Sequence, residues 1–127
     1  LAPVIFAGYL FTLVQYPNID SPGVEVQTCE KGLGLHAKAY TGPAYALGVH
    51  YGFHWTHKKW SWNIQPQVGL ATSHKGESEK YFEVGMQFTV GYDHARMGVE
   101  YWHMSNAGLS SPNGGLDMLV LQTGWSF

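Results

Sequence analysis

The chain has 127 residues, 45% hydrophobic and 15% aromatic but only 13% charged, with 16 glycines, one cysteine and a formal net charge of -2. That length holds one domain, 1–127; its charge is about half the ~25% usual in soluble domains, seven Lys+Arg against nine Asp+Glu leave no basic stripe for nucleic acid, and a lone Cys29 excludes an internal disulfide or a cysteine zinc framework. No run reaches the ~18 apolar residues of a transmembrane helix, so a membrane would have to be crossed by strands.

Taken in chain order, the segments alternate with period two. Val4–Tyr16 opens on a nearly continuous apolar run. With no basic n-region or A-x-A site around it, this run is read as a first strand rather than a signal remnant, and a chain beginning at Leu1 is expected to have lost its targeting segment. Val24–Cys29 and Leu33–Tyr40 follow. Pro43–His57 is the clearest, with Tyr45, Leu47, Val49, Tyr51, Phe53 and Trp55 on one face and Ala46, Gly48, His50, Gly52, His54 and Thr56 on the other. Trp60–Ser73 sets Trp60, Trp62, Ile64, Pro66, Val68 and Leu70 against Ser61, Asn63, Gln65, Gln67, Gly69 and Ala71. Tyr81–Tyr92, Ala95–Met104 and Leu116–Phe127 repeat the pattern, although Trp102 interrupts a polar row.

A soluble sandwich or lipocalin-like barrel would turn its large apolar side chains inward and carry many Lys and Glu outside. Here the row opposite the apolar one is Gly, Ala, Ser, Gln, Asn and His with few charges, which suits the narrow interior of a small barrel. The expectation is therefore an all-β, eight-stranded antiparallel transmembrane β-barrel with a lipid-facing apolar exterior and a polar, filled interior. Trp55, Trp60, Trp62, Tyr92, Trp125 and Phe127 fit aromatic girdles. Closure is required because an open edge in hydrocarbon leaves backbone groups unpaired. The short turns 30–32, 57–59 and 93–94 alternate with longer polar connections at 17–23, 73–80 and 105–115, with Thr41–Gly42 the short exception. That arrangement puts both termini in the periplasm and the 105–115 loop outside.

The chemically loaded stretch runs from His103 to Asp117. A serine hydroxyl is a weak nucleophile until a base takes its proton, and the base works best when a carboxylate fixes its tautomer. His103 and Ser105 continue the outward row Met97, Val99, Tyr101, and Asp117 continues the outward row of Leu119 and Leu121. In simple hairpin register the three meet outside the barrel, near its external rim. Polar groups facing lipid are costly, and a substrate that is itself a membrane lipid supplies a reason for them. Residue by residue, the same stretch also reads as ordinary turn chemistry.

This stretch resembles the signature of the PagL family, the lipid A 3-O-deacylases of the Gram-negative outer membrane. The matching residues are His103, Ser105, Asn106, Ala107, Gly108, Asn113 and Gly115, with a carboxylate twelve residues after the serine and an aromatic C-terminus at Phe127. The motif covers roughly the last fifth of the chain, and the remainder matches as an eight-strand lipid-facing pattern shared by many outer-membrane proteins. The resemblance implies Ser105 as nucleophile, His103 as general base, Asp117 as orienting acid, and Asn106, Asn113 and the Gly108 amide as oxyanion donors. It implies lipid A as substrate in the outer membrane, and acyl transfer to water with no cofactor and no metal. The family usually has glutamate where this chain has Asp117, one methylene shorter, so its reach to His103 depends on how closely the strands approach.

His50 and His54 lie about 13 Å apart at ~3.3 Å per residue, too far for one ion, and are read as lumen hydrogen-bonders. His36, Lys38, Glu83, Arg96 and Glu100 have inward parity and are read as an interior ion-pair network. Lys75, Glu77, Glu79 and Lys80 form a solvated external loop that could grip lipid A phosphates. A non-catalytic structural or adhesive barrel, and a soluble barrel binding an apolar ligand, are the alternatives. Lipid A, the surrounding membrane lipids and a second copy of the barrel are the partners this reading admits.

Overall fold

In the computed structural model, which describes residues 2–13, 19–73, 81–105 and 115–127, the alternating segments become eight strands: β1 (Val4–Thr12), β2 (Ser21–Gln27), β3 (Gly32–Tyr40), β4 (Ala44–His57), β5 (Trp60–Thr72), β6 (Phe82–Tyr92), β7 (Ala95–Ser105) and β8 (Leu116–Ser126). Each pairs antiparallel with the next, and β1 pairs with β8, so the sheet closes into a barrel in simple meander order. No helix occurs among the described residues. The initial apolar run is a strand, pairing Val4 with Ser126 and Leu10 with Val120.

Side chains follow the parity of the sequence. Along β4, Tyr45, Leu47, Val49, Tyr51, Phe53 and Trp55 are exposed, while Ala44, Ala46, His50 and Gly52 are buried. Leu47 is 64% exposed and Met97 72%, and comparable apolar side chains cover every strand. A surface so apolar over its whole circumference is incompatible with water and fits hydrocarbon. The same observation excludes the soluble barrel, whose large apolar residues would point inward.

The interior is filled. Lys38 Nζ lies 2.8 Å from Glu100 and 3.1 Å from Glu83, and His36 Nε2 lies 2.6 Å from Glu83. Glutamines bridge the centre: Gln27 and Gln65 donate to Gln87, which donates to Gln122. Trp102, the residue that interrupts the polar row, is wholly buried, donates its indole N–H to Glu83 and lies under Lys38. Arg96 does not join this network. It makes a two-pronged contact with Glu30 at the end of the barrel that holds residues 4 and 126. His50 is a lumen hydrogen-bonder, its Nε2 2.8 Å from the Cys29 carbonyl. At the opposite end, Leu10, Tyr40, Trp102, Met104, Leu116, Met118 and Val120 form an apolar cluster inside the wall.

Most strand ends fall within two residues of the sequence reading, and two boundaries differ by more. β1 ends at Thr12, and β2 begins at Ser21 because Ser21-Pro22-Gly23, which reads as turn chemistry, pairs with Leu10, Tyr9 and Gly8.

Candidate active site

The site residues sit on the last two strands, at the end of the barrel away from residues 4 and 126. Antiparallel register sets His103 directly opposite Asp117. Directly opposed residues on one face have Cβ atoms about 4.5–5.5 Å apart, close enough for a short carboxylate to reach an imidazole. It does: His103 Nδ1 lies 2.6 Å from Asp117 Oδ1. The aspartate's missing methylene is made up by this direct cross-strand pairing. The two side chains are partly exposed on the outer face, His103 at 29% and Asp117 at 39%.

A carboxylate at Nδ1 fixes the tautomer that carries its proton there, leaving Nε2 with a free lone pair. Ser105 lies two positions further on the same face of β7, about 6.6 Å along the strand. The imidazole leans toward that level, because a Cβ built on Gly115 would lie 2.8 Å from its Cε1 and 3.5 Å from its Nε2. Gly115 directly precedes β8, whose last pair at this end sets Met104 opposite Leu116. The ring therefore occupies space that any other residue at 115 would fill.

The backbone on both sides is pinned. Tyr81 N–H donates to the Ser105 carbonyl at 3.0 Å, and Leu13 N–H donates to the Asp117 carbonyl at 2.9 Å. Behind the site, Trp102 and Met104 alternate with His103, and Leu116 and Met118 flank Asp117, all fully buried in the apolar cluster. Rigid strands backed by packed side chains hold a constellation more precisely than a loop does.

A third side chain joins the His103–Asp117 pair. Tyr101, two residues before His103 on the outward row, donates its hydroxyl to Asp117 Oδ1, the oxygen that faces His103. Sequence reading took it for one more outward aromatic. The signal available was its diagonal relation to Asp117 across the hairpin, which long side chains can span. Asn106, Gly108 and Asn113, with Ala107 of the same motif, lie outside the described residues, as do Lys75, Glu77, Glu79 and Lys80. Among the described residues, no cluster of three or more His, Cys, Asp or Glu could hold a metal ion.

The fold and this outward polar group define a small closed membrane barrel that carries a hydrogen-bonded Tyr101–Asp117–His103 group on its outer wall. The family profile described as lipid A 3-O-deacylase (PagL) matches residues 6–126, and the chain belongs to that family of lipid A deacylases. In structure it is similar to the outer membrane enzyme PagL, with a TM-score of 0.69 at 16% identity over 95% of this chain and 97% of that one. It is also similar to Neisserial surface protein A, with a TM-score of 0.65 at 14% identity, covering 98% of this chain and 94% of that one. The N-terminal barrel of Pseudomonas aeruginosa OprF matches with a TM-score of 0.63 at 13% identity, covering 99% and 97%. At these identities the likenesses show the shared fold. No curated protein matches the sequence.

Proposed function

We propose that this barrel is an outer-membrane serine esterase that removes the ester-linked acyl chain at the 3-position of lipid A. Ser105 serves as nucleophile, His103 as general base and Asp117 as orienting acid. The observation that carries the reading is the His103 Nδ1 to Asp117 Oδ1 hydrogen bond on the outward face of β7 and β8 in a member of a lipid A deacylase family. The outer membrane follows from the substrate class and from the location named for the similar enzyme. A substrate embedded in the same leaflet reaches this face laterally, without entering the filled lumen.

The chemistry is acyl transfer in two halves. Ser105 Oγ attacks the ester carbonyl while His103 Nε2 takes its proton, and Asp117 stabilises the imidazolium that forms. The tetrahedral oxyanion collapses, the C–O bond to the sugar breaks, and His103 returns the proton to the leaving hydroxyl. Water, deprotonated by His103, then cleaves the acyl-serine and releases the fatty acid. Asn106, Asn113 and the Gly108 amide are the proposed oxyanion donors; each such donor contributes about 3 kcal/mol to lowering a barrier of this kind. Nothing in this sequence of steps calls for a cofactor.

The test is expression in a Gram-negative host followed by mass spectrometry of lipid A. The expected result is loss of one 3-linked hydroxyacyl chain with the wild type and full-length lipid A with Ser105→Ala. Unchanged lipid A beside a correctly inserted wild-type barrel would overturn the reading.

A further inference from the structure

We propose that Tyr101 is a positioning residue of this site: its hydroxyl locks the Asp117 carboxylate in the rotamer that serves His103. The inference rests on the esterase reading above and deepens it.

Asp117 Oδ1 accepts two hydrogen bonds, from Tyr101 and from His103 Nδ1, both on one oxygen. Asp117 projects from the outer wall, where the flanking outward residues are apolar: Leu119 on its own strand, Val84 beside His103 on β6, and Leu13 at the edge of β1. An aspartate χ2 is broad and roughly two-fold. In an aqueous triad, water and backbone N–H groups restrain such a carboxylate; next to hydrocarbon, few other donors are at hand. Tyr101 supplies one from the adjacent strand. Its ring stands opposite Leu119, so the hydroxyl reaches Asp117 along the diagonal of the hairpin.

A tyrosine that only anchors a barrel at the interface turns its hydroxyl toward water and headgroups. This one is turned sideways, onto the carboxylate of the neighbouring strand. Its consequence is preorganisation. When His103 becomes imidazolium, Oδ1 already faces Nδ1 and no rotation is needed at the moment charge develops. The contribution therefore belongs to the chemical step and not to substrate affinity.

The experiment uses purified, refolded barrels in detergent–lipid A micelles, with heat-modifiable gel mobility reporting closure. Deacylation by the wild type and its loss in Ser105→Ala establish the reading on which the inference rests; an inert wild type removes both. With that in place, Tyr101→Phe keeps the ring and removes only the hydroxyl. The expected result is a fall in kcat of about tenfold with KM unchanged. Added to Asp117→Ala, the same change should alter the residual rate less than about twofold, since its acceptor is gone. A kcat within about twofold of the wild type, a loss carried by KM, or an equal loss in the Asp117→Ala background would overturn the proposal.

Discussion

Gly115 shows how finely the site is fitted at the scale of single atoms. The space its missing Cβ would occupy is taken by the His103 ring, with Cε1 at 2.8 Å, closer than real Cβ contacts come. Gly115→Ala therefore leaves the fold a choice between moving the imidazole and moving the start of β8, and the partly exposed ring is the softer of the two. A misplacement of about 1 Å in a catalytic base can cost about 100-fold in rate. The expected outcome is a barrel with wild-type heat-modifiable migration and a kcat lowered about 100-fold, measured on purified lipid A. The shared outward face of His103, Ser105 and Asp117 was legible before any coordinates, because strand parity alone sets it, and hairpin register brings His103 and Asp117 together. Tyr101 was not, because an outward tyrosine beside a membrane looks like every other girdle residue until its hydroxyl is seen to point across the hairpin. Nor does parity reveal the lean of the imidazole over Gly115, which is a rotamer property.

At the scale of strands, glycine does the spacing. Gly48 on β4 faces Gly69 on β5, and a Cβ on Gly69 would fall 2.5 Å from the Gly48 Cα and 2.7 Å from Glu83 Oε2. The pair clears interior volume for the Glu83 carboxylate, which takes His36 and Lys38 as partners. Gly69→Val would push backbone against backbone, so the strands must spread and Glu83 must shift; overpacking of this kind costs about 1–3 kcal/mol. A lower urea midpoint for the barrel inserted in lipid vesicles, followed by tryptophan fluorescence, is the expected measurement. Alternation made the strands from Pro43 onward readable, since a period of two needs only the order of apolar and small residues, whereas Val4–Val14 is a nearly continuous apolar run. The ends of strands were harder. Ser21-Pro22-Gly23 carries the residue types of a turn, and its place in β2 depends on pairing with β1, a relation between segments that a local pattern does not contain. Pro66, by contrast, lies inside β5 where alternation set it, and the β4–β5 ladder passes from His50–Gln67 to Phe53–Ile64 around it, as expected where a proline has no N–H to give.

For the molecule as a whole, the low charge recorded in the composition has a definite location. The outer wall is nearly free of ions, and several of the few that exist are inside, where Lys38 is the cation held between Glu83 and Glu100 and over the Trp102 ring. Trp102 and Met104 on the inner face of β7 alternate with His103 and Ser105 on the outer one, so the core that plugs the barrel is also the backing of the site. Lys38→Met would leave Glu83 and Glu100 in a dry interior without their shared cation, Glu83 keeping His36 and the Trp102 indole and Glu100 lying beside the buried Glu25 on the Gln122 amide. Removing one partner of a buried ion group costs about 3–5 kcal/mol, mostly as the penalty of stranding the other charges. The expected outcome is a urea midpoint well below the wild type in lipid vesicles, and partial recovery when Glu100→Gln is added, because the second change removes one stranded charge and keeps a hydrogen-bonding group of similar shape. Per folded molecule, deacylation should fall less than stability does, since Lys38 reaches the site only through the Trp102 ring that backs His103. A Lys38→Met barrel as stable as the wild type would mean that the lumen charges are solvated rather than mutually held. Equal stability in the single and double variants would mean that Glu83 alone carries the interaction with Lys38.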